Sequence, residues 1–383
     1  MGYGAELVAR ARDLAPALAG RAQAAEERRR LPDETVTDLT GFLDVLVPKA
    51  AGGRELDLAT AVGICREIGA GCTSTGWLSA IYLLHNWMLS LFPKRAQHEV
   101  FANRPYALAP CVLAPTGSAE PAEGGHRLTG RWSWGSGVMH ADWVMVTALT
   151  GAFEPRVFLL PRAEVTVHDV WHVSGMRATG SNDIEARGAF VPEHRSLPLL
   201  DVARGTTPGA ALHEGPAYRW PLVPVLTLVG ASPVLGAAEG LLARFRERLE
   251  SRVMAYTGIK QRDLMSGQIR LARATAELAA ARLLLEDAVA ALERTYASSG
   301  RYTLADRARA RLVGAHVVGT ARTVVGDLCV AAGASAQFMD SPFQRVQRDV
   351  ATISGHVVFD LDATYALYGK VELGVELDPT TLV

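Results

Sequence analysis

The 383-residue sequence has no excess of charge of either sign. Its 39 Lys and Arg residues nearly balance its 40 Asp and Glu residues, which leaves a formal net charge of −1. A strongly basic surface is what draws proteins to nucleic acids and to anionic membranes. The composition therefore gives no support for nucleic acid or a membrane as a partner, and neither is predicted.

Cysteine is scarce, and its spacing has no chemical pattern. The four cysteines (Cys65, Cys72, Cys111 and Cys329) show neither the close pairs of a zinc site nor a disulfide framework. Cys65 and Cys72 lie seven residues apart in a helical stretch, which favours buried thiols over a bridge. We therefore expect a reduced, cytoplasmic protein without a metal site.

Long apolar runs and short cofactor signatures are also missing. No uninterrupted apolar stretch approaches the roughly 18–20 residues that a membrane-spanning helix needs. The start, MGYGAELVARARDLAPALAG, carries charges throughout and is typical of an amphipathic helix rather than a signal peptide. The dinucleotide fingerprint GxGxxG, the P-loop and the HExxH motif are all absent from the sequence.

The patterns that are present divide the chain into three parts. Residues 6–101 are predicted as helices with short breaks, with Ser74 or Thr75 as the cap of one of them. Residues 106–200 are rich in Val, Thr and Trp, alternate, and are broken by Gly and Pro, which predicts β-structure. After a probable loop, residues 222–296 and two further segments, 303–332 and 342–373, have helical periodicity.

Three stretches carry a resemblance to a known family. They are RWSWGSGVMHADWVMV in the β part, VSGMRATGSNDIEARGAFVPEHR after it, and SPFQRVQRDVATISGH near the end. Together with the order of the parts, they resemble the acyl-CoA dehydrogenase fold, and more narrowly its flavin-dependent monooxygenase branch (group D), which includes two-component phenol hydroxylases and dibenzothiophene monooxygenase.

The resemblance implies a mostly helical α+β fold in three domains. These are an N-terminal helical domain (1–105), a central β-barrel-like domain (106–215) and a C-terminal four-helix bundle (216–383). Apolar residues on more than one face of the C-terminal helices favour a homotetramer, or at least a dimer.

The stretch RDVATISGH favours the monooxygenase branch over the dehydrogenases. In acyl-CoA dehydrogenases a catalytic glutamate commonly follows the Arg–Asp pair, but no carboxylate occurs here between Asp349 and Asp360. Asp349 and His356 are seven residues apart and are expected to share a helix face, with Arg345 and Asp349 as an i,i+4 ion pair. The resemblance places His356 over the C4a–N5 edge of the flavin, whereas the alternative is a histidine satisfied within the core. A dehydrogenase whose base lies on another helix remains possible.

A second histidine, His85, interrupts the apolar helix sequence IYLLHNW. Burying its polar ring costs free energy unless a partner binds it, which favours a site. In the resembling hydroxylases a matching histidine faces the substrate, where it orients or deprotonates a phenol or an N–H group. The alternative is a histidine that is hydrogen-bonded to a backbone carbonyl.

Two glycine-containing loops are the predicted flavin contacts. In WSWGSG, Gly135 and Gly137 permit close approach of the backbone, and Ser136, which we count among the catalytic residues, adds a hydroxyl. The resemblance places this loop, including Trp134, along the isoalloxazine, and it brings Thr179, Gly180 and Ser181 to the N5 side and the ribityl chain.

The remaining candidates concern the substrate and the flavin phosphate. Trp87, Trp132 and Met139, with Trp134, are the expected pocket walls, which favours a planar aromatic substrate, although for Trp87 alone a place in the core is slightly favoured over the pocket wall. A basic stretch could reach the phosphate or adenine end of the cofactor from a neighbouring subunit; its candidate residues are Arg252, Lys260, Arg262 and Gln268.

The resemblance implies a two-component enzyme. An NAD(P)H-dependent flavin reductase supplies reduced FAD or FMN, with FAD slightly favoured. The flavin reacts with O2 to a C4a-(hydro)peroxyflavin, which oxygenates an aromatic or heteroaromatic small molecule in secondary metabolism or aromatic degradation. The alternatives are an acyl-CoA dehydrogenase-like desaturase and a catalytically silent scaffold of the same fold.

Overall fold

The structure, a computed structural model, describes residues 2–151, 153–254, 258–378, 381 and 383. The N-terminal part is helical, as predicted. Its helices are α1 (Tyr3–Arg28), α2 (Asp33–Thr40), α3 (Leu58–Gly71), α4 (Thr73–Leu89) and α5 (Lys94–Phe101). The predicted cap of α4 at Ser74 or Thr75 is wrong, because the helix already begins at Thr73 and Cys72 holds the cap position.

The central part forms one sheet among the described residues. Its strands are β1 (Cys111–Ala122), β2 (Gly125–Gly135), β3 (Trp143–Thr150), β4 (Pro155–Pro161), β5 (Thr166–His168), β6 (Asn182–Pro192) and β7 (Ser196–Pro198). Their order is β5-β6-β2-β1-β3-β4-β7, and all neighbours are antiparallel except β1 and β3. The sheet encloses its own apolar core, around Leu128, Trp132 and Phe158, and is barrel-like in that sense.

The C-terminal part is a bundle of long helices. The segment predicted as a loop contains α6 (Leu199–Arg204) and α7 (Pro208–Leu212), and the bundle follows with α8 (Leu222–Ser251), α9 (Met265–Ser299) and α10 (Leu304–Ala332). The helix predicted over 342–373 is in fact two helices, α11 (Pro342–Ser354) and α12 (Leu361–Glu372). The helical periodicity runs through the break, which is why the pattern alone did not reveal it. The domain boundaries at 105 and 215 stay predictions.

Helix α8 joins the N-terminal helices to the bundle. It packs against α3 and α4 on one side and against α9, α10 and α11 on the other. By length and composition alone α8 could cross a membrane, but 78% of its most apolar window is buried inside the protein. Its contact with α3 is very close, because a Cβ atom at Gly236 would overlap the carbonyl oxygen of Arg66.

The close contact between α8 and α3 should make Gly236 sensitive to substitution. Gly236→Ala should lower the free energy of unfolding by about 1–3 kcal/mol, because the added methyl group forces two packed helices apart. Urea unfolding measures the change. The matched control is Gly20→Ala, an exposed position inside α1 with nothing within 4 Å of the added Cβ. That control should be neutral or stabilising by about 0.5–1 kcal/mol, since alanine is the better helix former. Equal changes in the free energy of unfolding for both variants would contradict the close contact between α8 and α3.

Candidate active site

The two glycine-containing loops lie side by side at one end of the sheet. The first leaves β2 and the second leads into β6, and these strands are antiparallel neighbours with Gly135 opposite Asn182. The backbone N–H of Gly137 donates to the carbonyl of Thr179 at 2.9 Å, which joins the loops directly. The sequence prediction that these loops form one site is in accord with this geometry.

A chain of hydrogen bonds with a defined direction runs through the two loops. The hydroxyl of Thr179 donates to the carbonyl of Met176 (2.8 Å), and Thr179 and Ser181 are 2.7 Å apart. Ser181 and Ser136 are 2.9 Å apart, and the indole N–H of Trp77 donates to Ser136 at 3.3 Å. Because each hydroxyl has one proton, Ser181 donates to Thr179 and Ser136 donates to Ser181. Ser136 therefore keeps a lone pair, and no spare proton, for a ligand.

Glycine is required at position 137 of the first loop. Gly137 has φ +81°, and an added Cβ would touch the hydroxyl of Tyr82. The same hydroxyl donates to the Gly137 carbonyl at 2.8 Å. Helix α4 therefore approaches this loop as closely as a residue without a side chain allows.

His356 lies next to these loops but not on the helix where it was predicted. Helix α11 ends at Ser354, so the expected shared helix face with Asp349 is wrong; His356 begins a short 3-10 turn, Val357–Phe359. Its ring is 5.5 Å from that of Trp77 and 6.1 Å from that of Phe359, centroid to centroid.

The ring of His356 is neutral and has a defined tautomer. Its Nδ1 accepts from the backbone N–H of Val358 at 3.3 Å, so the proton of the neutral ring is on Nε2. Desolvation by the surrounding protein lowers the pKa of His356 to about 4. The side chain as a whole is exposed, which works against that shift, but a pKa of about 4 and the ordinary value of 6.5 both leave the ring mostly uncharged at pH 7. His356 therefore presents an N–H donor to the site.

His85 is buried in α4, with 4% of its surface exposed. Its Nδ1 lies 2.6 Å from the carbonyl of Ala109, which makes Nδ1 the protonated nitrogen and leaves a lone pair on Nε2. Burial lowers the pKa of His85 to about 4, so the ring is a hydrogen-bond acceptor at pH 7 and a weak base. At Nδ1, His85 is therefore bound to a backbone carbonyl, as the alternative interpretation predicted. Its Nε2 is not hydrogen-bonded to any residue that the structure describes.

The predicted ion pair between Arg345 and Asp349 is wrong. Arg345 instead pairs with Glu26 of α1, with 3.0 Å between Nε and Oε2, and Arg348 pairs with the other oxygen of the same carboxylate. Asp349 accepts from the backbone N–H of Met176 at 2.5 Å. Its carboxylate is therefore occupied by the second loop. Spacing along one helix cannot reveal a partner that comes from α1.

Comparisons with known proteins agree with this geometry. The family models for the acyl-CoA dehydrogenase N-terminal and C-terminal domains match residues 5–104 and 228–361. A pigment production hydroxylase of a Rhodococcus species is 37% identical over 98% of both chains. The oxygenase component of an FADH2-dependent resorcinol hydroxylase of a Rhizobium species is 32% identical, over 97% of this chain and 94% of the relative. The chain belongs to the flavin-dependent monooxygenases of the acyl-CoA dehydrogenase fold.

A solved structure supports the same assignment. XiaF from a Streptomyces species, in complex with FADH2 and glycerol, has a TM-score of 0.90 and 32% identity, with 99% of this chain and 97% of that chain covered. The resemblance from which the fold and the family were predicted is therefore confirmed. Among the described residues of this monooxygenase, no group of three or more His, Cys, Asp or Glu side chains could hold a metal ion.

The residues of this monooxygenase fit a flavin. The indole of Trp134, on the first loop, is 70% exposed, and a large exposed aromatic surface is typical of a place where a ligand binds. Positive φ angles at Trp134 (+70°) and Gly180 (+52°) shape the two loops. When bound, reduced flavin supplies the electrons that activate O2 for insertion of one oxygen atom into a substrate.

Two predicted pocket walls lie in the core. Trp87 is completely buried, donates to the carbonyl of Ala217 and packs on Trp220. Trp132 is buried inside the sheet and donates to the carbonyl of Thr147. Neither indole has accessible surface in this structure, and the assignment of both to the substrate pocket stays a prediction.

The third pocket candidate, Met139, lies beside the second loop. It is 40% exposed, its sulfur is 3.3 Å from the amide nitrogen of Asn182, and it is the side chain that an added Cβ at Gly180 would meet. Its assignment to the pocket stays a prediction, as does the flavin role of each loop residue.

The predicted phosphate-binding residues are surface groups within one chain. Arg252 donates to the carbonyl of Ala332 at 2.7 Å and so caps the end of α10. Arg262 is exposed beside Asp263, Gln268 donates to the carbonyl of Arg262 at 3.0 Å, and Lys260 is exposed. Their roles toward a cofactor in a neighbouring subunit stay predictions.

Sequence reasoning missed Trp77, which connects Ser136 with His356. Trp77, Ile81 and His85 are spaced by four residues, so they lie along one face of α4. That spacing was visible in the sequence. What it could not show was that this face of an almost completely buried helix is directed toward the loops rather than into the core.

The buried, neutral His85 has a consequence for stability. Its pKa is about 4 in the folded protein against 6.5 ordinarily, so between these pH values the unfolded chain binds a proton that the folded chain excludes. Stability should therefore fall as the pH decreases from 7 to 5, with His85 contributing about 2 kcal/mol of the loss. His85→Gln should remove the contribution of His85 to this loss of stability. Urea unfolding of the parent and the variant at pH 7 and pH 5 measures it. An identical pH dependence of parent and variant would place the charge change elsewhere.

Proposed function

We propose that this chain is the oxygenase component of a two-component monooxygenase that inserts one atom of O2 into an aromatic or heteroaromatic small molecule. Reduced FAD or FMN is the cofactor, and an NAD(P)H-dependent flavin reductase supplies it. The proposal is supported by relatives whose names describe an FADH2-dependent resorcinol hydroxylase and a flavin-dependent monooxygenase, each an oxygenase component or subunit.

The observation that carries the proposal is that, among the described residues, the segment that follows Asp349 brings no further carboxylate to the loops. A dehydrogenase removes a proton next to a thioester and needs a positioned base of sufficient strength. The segment from 350 to 359 contains no acid, and Asp349 is bound to Met176. The groups that remain are two neutral histidines and a chain of hydroxyls. Such a site can bind, orient and stabilise by hydrogen bonds, which is what an oxygen transfer requires of the protein.

The two histidines have opposite hydrogen-bonding roles. His85 presents a lone pair on Nε2, which accepts from a phenolic O–H or a ring N–H of the substrate. His356 presents an N–H, which donates to the oxygen that is being transferred. The low pKa of His85 favours orientation of the substrate over its deprotonation.

The assembly we propose is a homotetramer. Several large apolar side chains of the C-terminal helices and their connections are exposed in the single chain: Met265, Ile269, Leu283, Val330, Phe338, Met339 and Leu373. Large apolar side chains exposed along the helices of one bundle are typical of interfaces between subunits. Sedimentation velocity at micromolar concentration should show a tetramer, or at least a dimer, and a 41 kDa monomer alone would contradict this.

The direction of the hydroxyl chain predicts which redox state of the flavin binds. We place the hydroxyl of Ser136, which is bonded to Ser181, beside N5 of the isoalloxazine. It can accept a hydrogen bond but has no free proton to donate, and only reduced flavin carries a hydrogen on N5. Reduced flavin should therefore bind about tenfold or more tightly than oxidised flavin in anaerobic titrations. Ser136→Ala should reduce the difference between the affinities for reduced and oxidised flavin. Equal affinities of the parent for both states would argue against capture of flavin from a reductase.

His356 should govern how efficiently oxygen reaches the substrate. His356→Ala removes an N–H donor from the site, which should lower product formation about ten- to a hundredfold while reduced flavin still binds. The oxygen lost from the productive reaction should appear as H2O2, and the ratio of H2O2 to product measures it. His356→Asn keeps a donor and should recover part of the loss.

Two further variants make this test specific. His98→Ala, an exposed histidine on α5, should behave like the parent. His85→Ala should raise the substrate concentration needed for turnover more than it changes flavin oxidation in the absence of substrate. If His356→Ala formed product and H2O2 in the parent's ratio, His356 would be a structural residue.

A further inference from the structure

The second loop begins with a strained residue that lies directly on helix α11. Met176 has φ +57°, in the left-handed backbone region that residues other than glycine rarely adopt. The preceding residue, Gly175, lies so close to α11 that an added Cβ would overlap the carbonyl of Arg348. The guanidinium of Arg348 also donates to the carbonyl of Ser174. Strain of this kind persists only where surrounding contacts enforce it.

Asp349 supplies one contact of this turn and organises the others. Its carboxylate accepts from the Met176 N–H at 2.5 Å. The Met176 carbonyl on the other side of the same residue accepts from the indole of Trp171 at 3.0 Å and from the hydroxyl of Thr179 at 2.8 Å. Because the Met176 carbonyl accepts from Thr179, a fixed Met176 also fixes the hydroxyl of Thr179. The hydroxyl of Thr179 in turn positions those of Ser181 and Ser136.

The charges around Asp349 are arranged so that its carboxylate is not neutralised by an ion pair. Arg345 and Arg348, on its own helix, both bind the carboxylate of Glu26 from α1. The buried thiol of Cys72, at the N-cap of α4, is a further titratable group that interacts with Asp349. Burial, assisted by Glu26, raises the pKa of Asp349 to about 7, against the opposing effect of Met176 and the two arginines.

We propose that Asp349 is a positioning residue of the flavin site, whose carboxylate holds the turn at Met176 and through it the hydroxyls of Thr179, Ser181 and Ser136. The proposal rests on the function proposed above in one respect, namely that these hydroxyls contact the flavin. Asp349 and His356 stand at the two ends of one segment, so the same segment positions the hydroxyl chain and the histidine beside it.

The proposal has a consequence that a merely structural acid does not share. The N–H of Met176 is held by a charged acceptor above pH 7 and by a weaker, neutral one below it. Affinity for flavin should therefore fall as the carboxyl group takes up its proton. Asp349→Asn keeps an oxygen acceptor of the same shape but cannot titrate, so it should lose this pH dependence.

The test is anaerobic titration of the full-length parent and variants with reduced FAD at pH 8 and pH 6. Asp349→Ala should bind about tenfold or more weakly at pH 8. Asp349→Asn should bind at pH 8 about as the parent does at pH 6, and its affinity should change less between the two pH values. The titration of the flavin itself is common to all proteins and cancels in the comparison. Asp360→Asn, an exposed cap of α12, is the matched control and should follow the parent.

A second readout needs no flavin. Hydrogen exchange followed by mass spectrometry should show faster exchange over residues 174–181 in Asp349→Ala, with slower exchange restored in Asp349→Asn. If the parent bound no reduced flavin at either pH, the proposed function would fail while the exchange experiment still tested the turn. If the parent bound flavin and Asp349→Ala bound it equally well, the positioning role would be overturned, whatever the exchange showed.

Discussion

Four polar side chains of helix α4 hold the site together, because each of them is buried and hydrogen-bonded to another part of the chain. Trp77 donates to Ser136, Tyr82 to the carbonyl of Gly137, and His85 to the carbonyl of Ala109. Asn86 bonds both the N–H and the C=O of Ala107. An unpaired buried polar group costs about 1–3 kcal/mol, so the helix fixes the entry to the sheet and the first loop at the same time.

The second constraint is that the site excludes free charge. His85 is neutral because the protein around it removes water from its ring, and His356 accepts the N–H of Val358 on Nδ1 as a neutral ring does. Glu26 is held by two arginines, and Asp349 by a backbone N–H. Hydrogen bonds are stronger where water and mobile charge are excluded, and an oxygen-transfer site depends on them. The features that separate this chain from a dehydrogenase are therefore electrostatic, since the fold is shared.

The sequence predicted the three-part fold and the two loops well, because glycine, strand alternation and helical periodicity are local signals. It failed where a residue's surroundings come from distant parts of the chain. Trp132 and Trp134 lie two residues apart on β2, where strand alternation would place them on one face, yet Trp132 is buried and Trp134 is exposed. The positive φ of Trp134 and the irregular pairing with β6 after Trp132 break that alternation. His356 was placed on a helix because the periodicity continues past Ser354, where the helix ends. The pairing of Arg345 with Glu26 spans 319 residues and leaves no pattern in the sequence.

The hydroxyl chain of Ser136, Ser181 and Thr179 also limits where protons can travel. Rows of hydroxyls can relay a proton when all of them rotate together and the last one passes its proton on. This row ends at the carbonyl of Met176, which has no proton to give and is far too weak a base to keep one. The row of hydroxyls is therefore closed to proton transfer at the end next to Met176. Protons that the reaction consumes or releases therefore do not leave the site along this row.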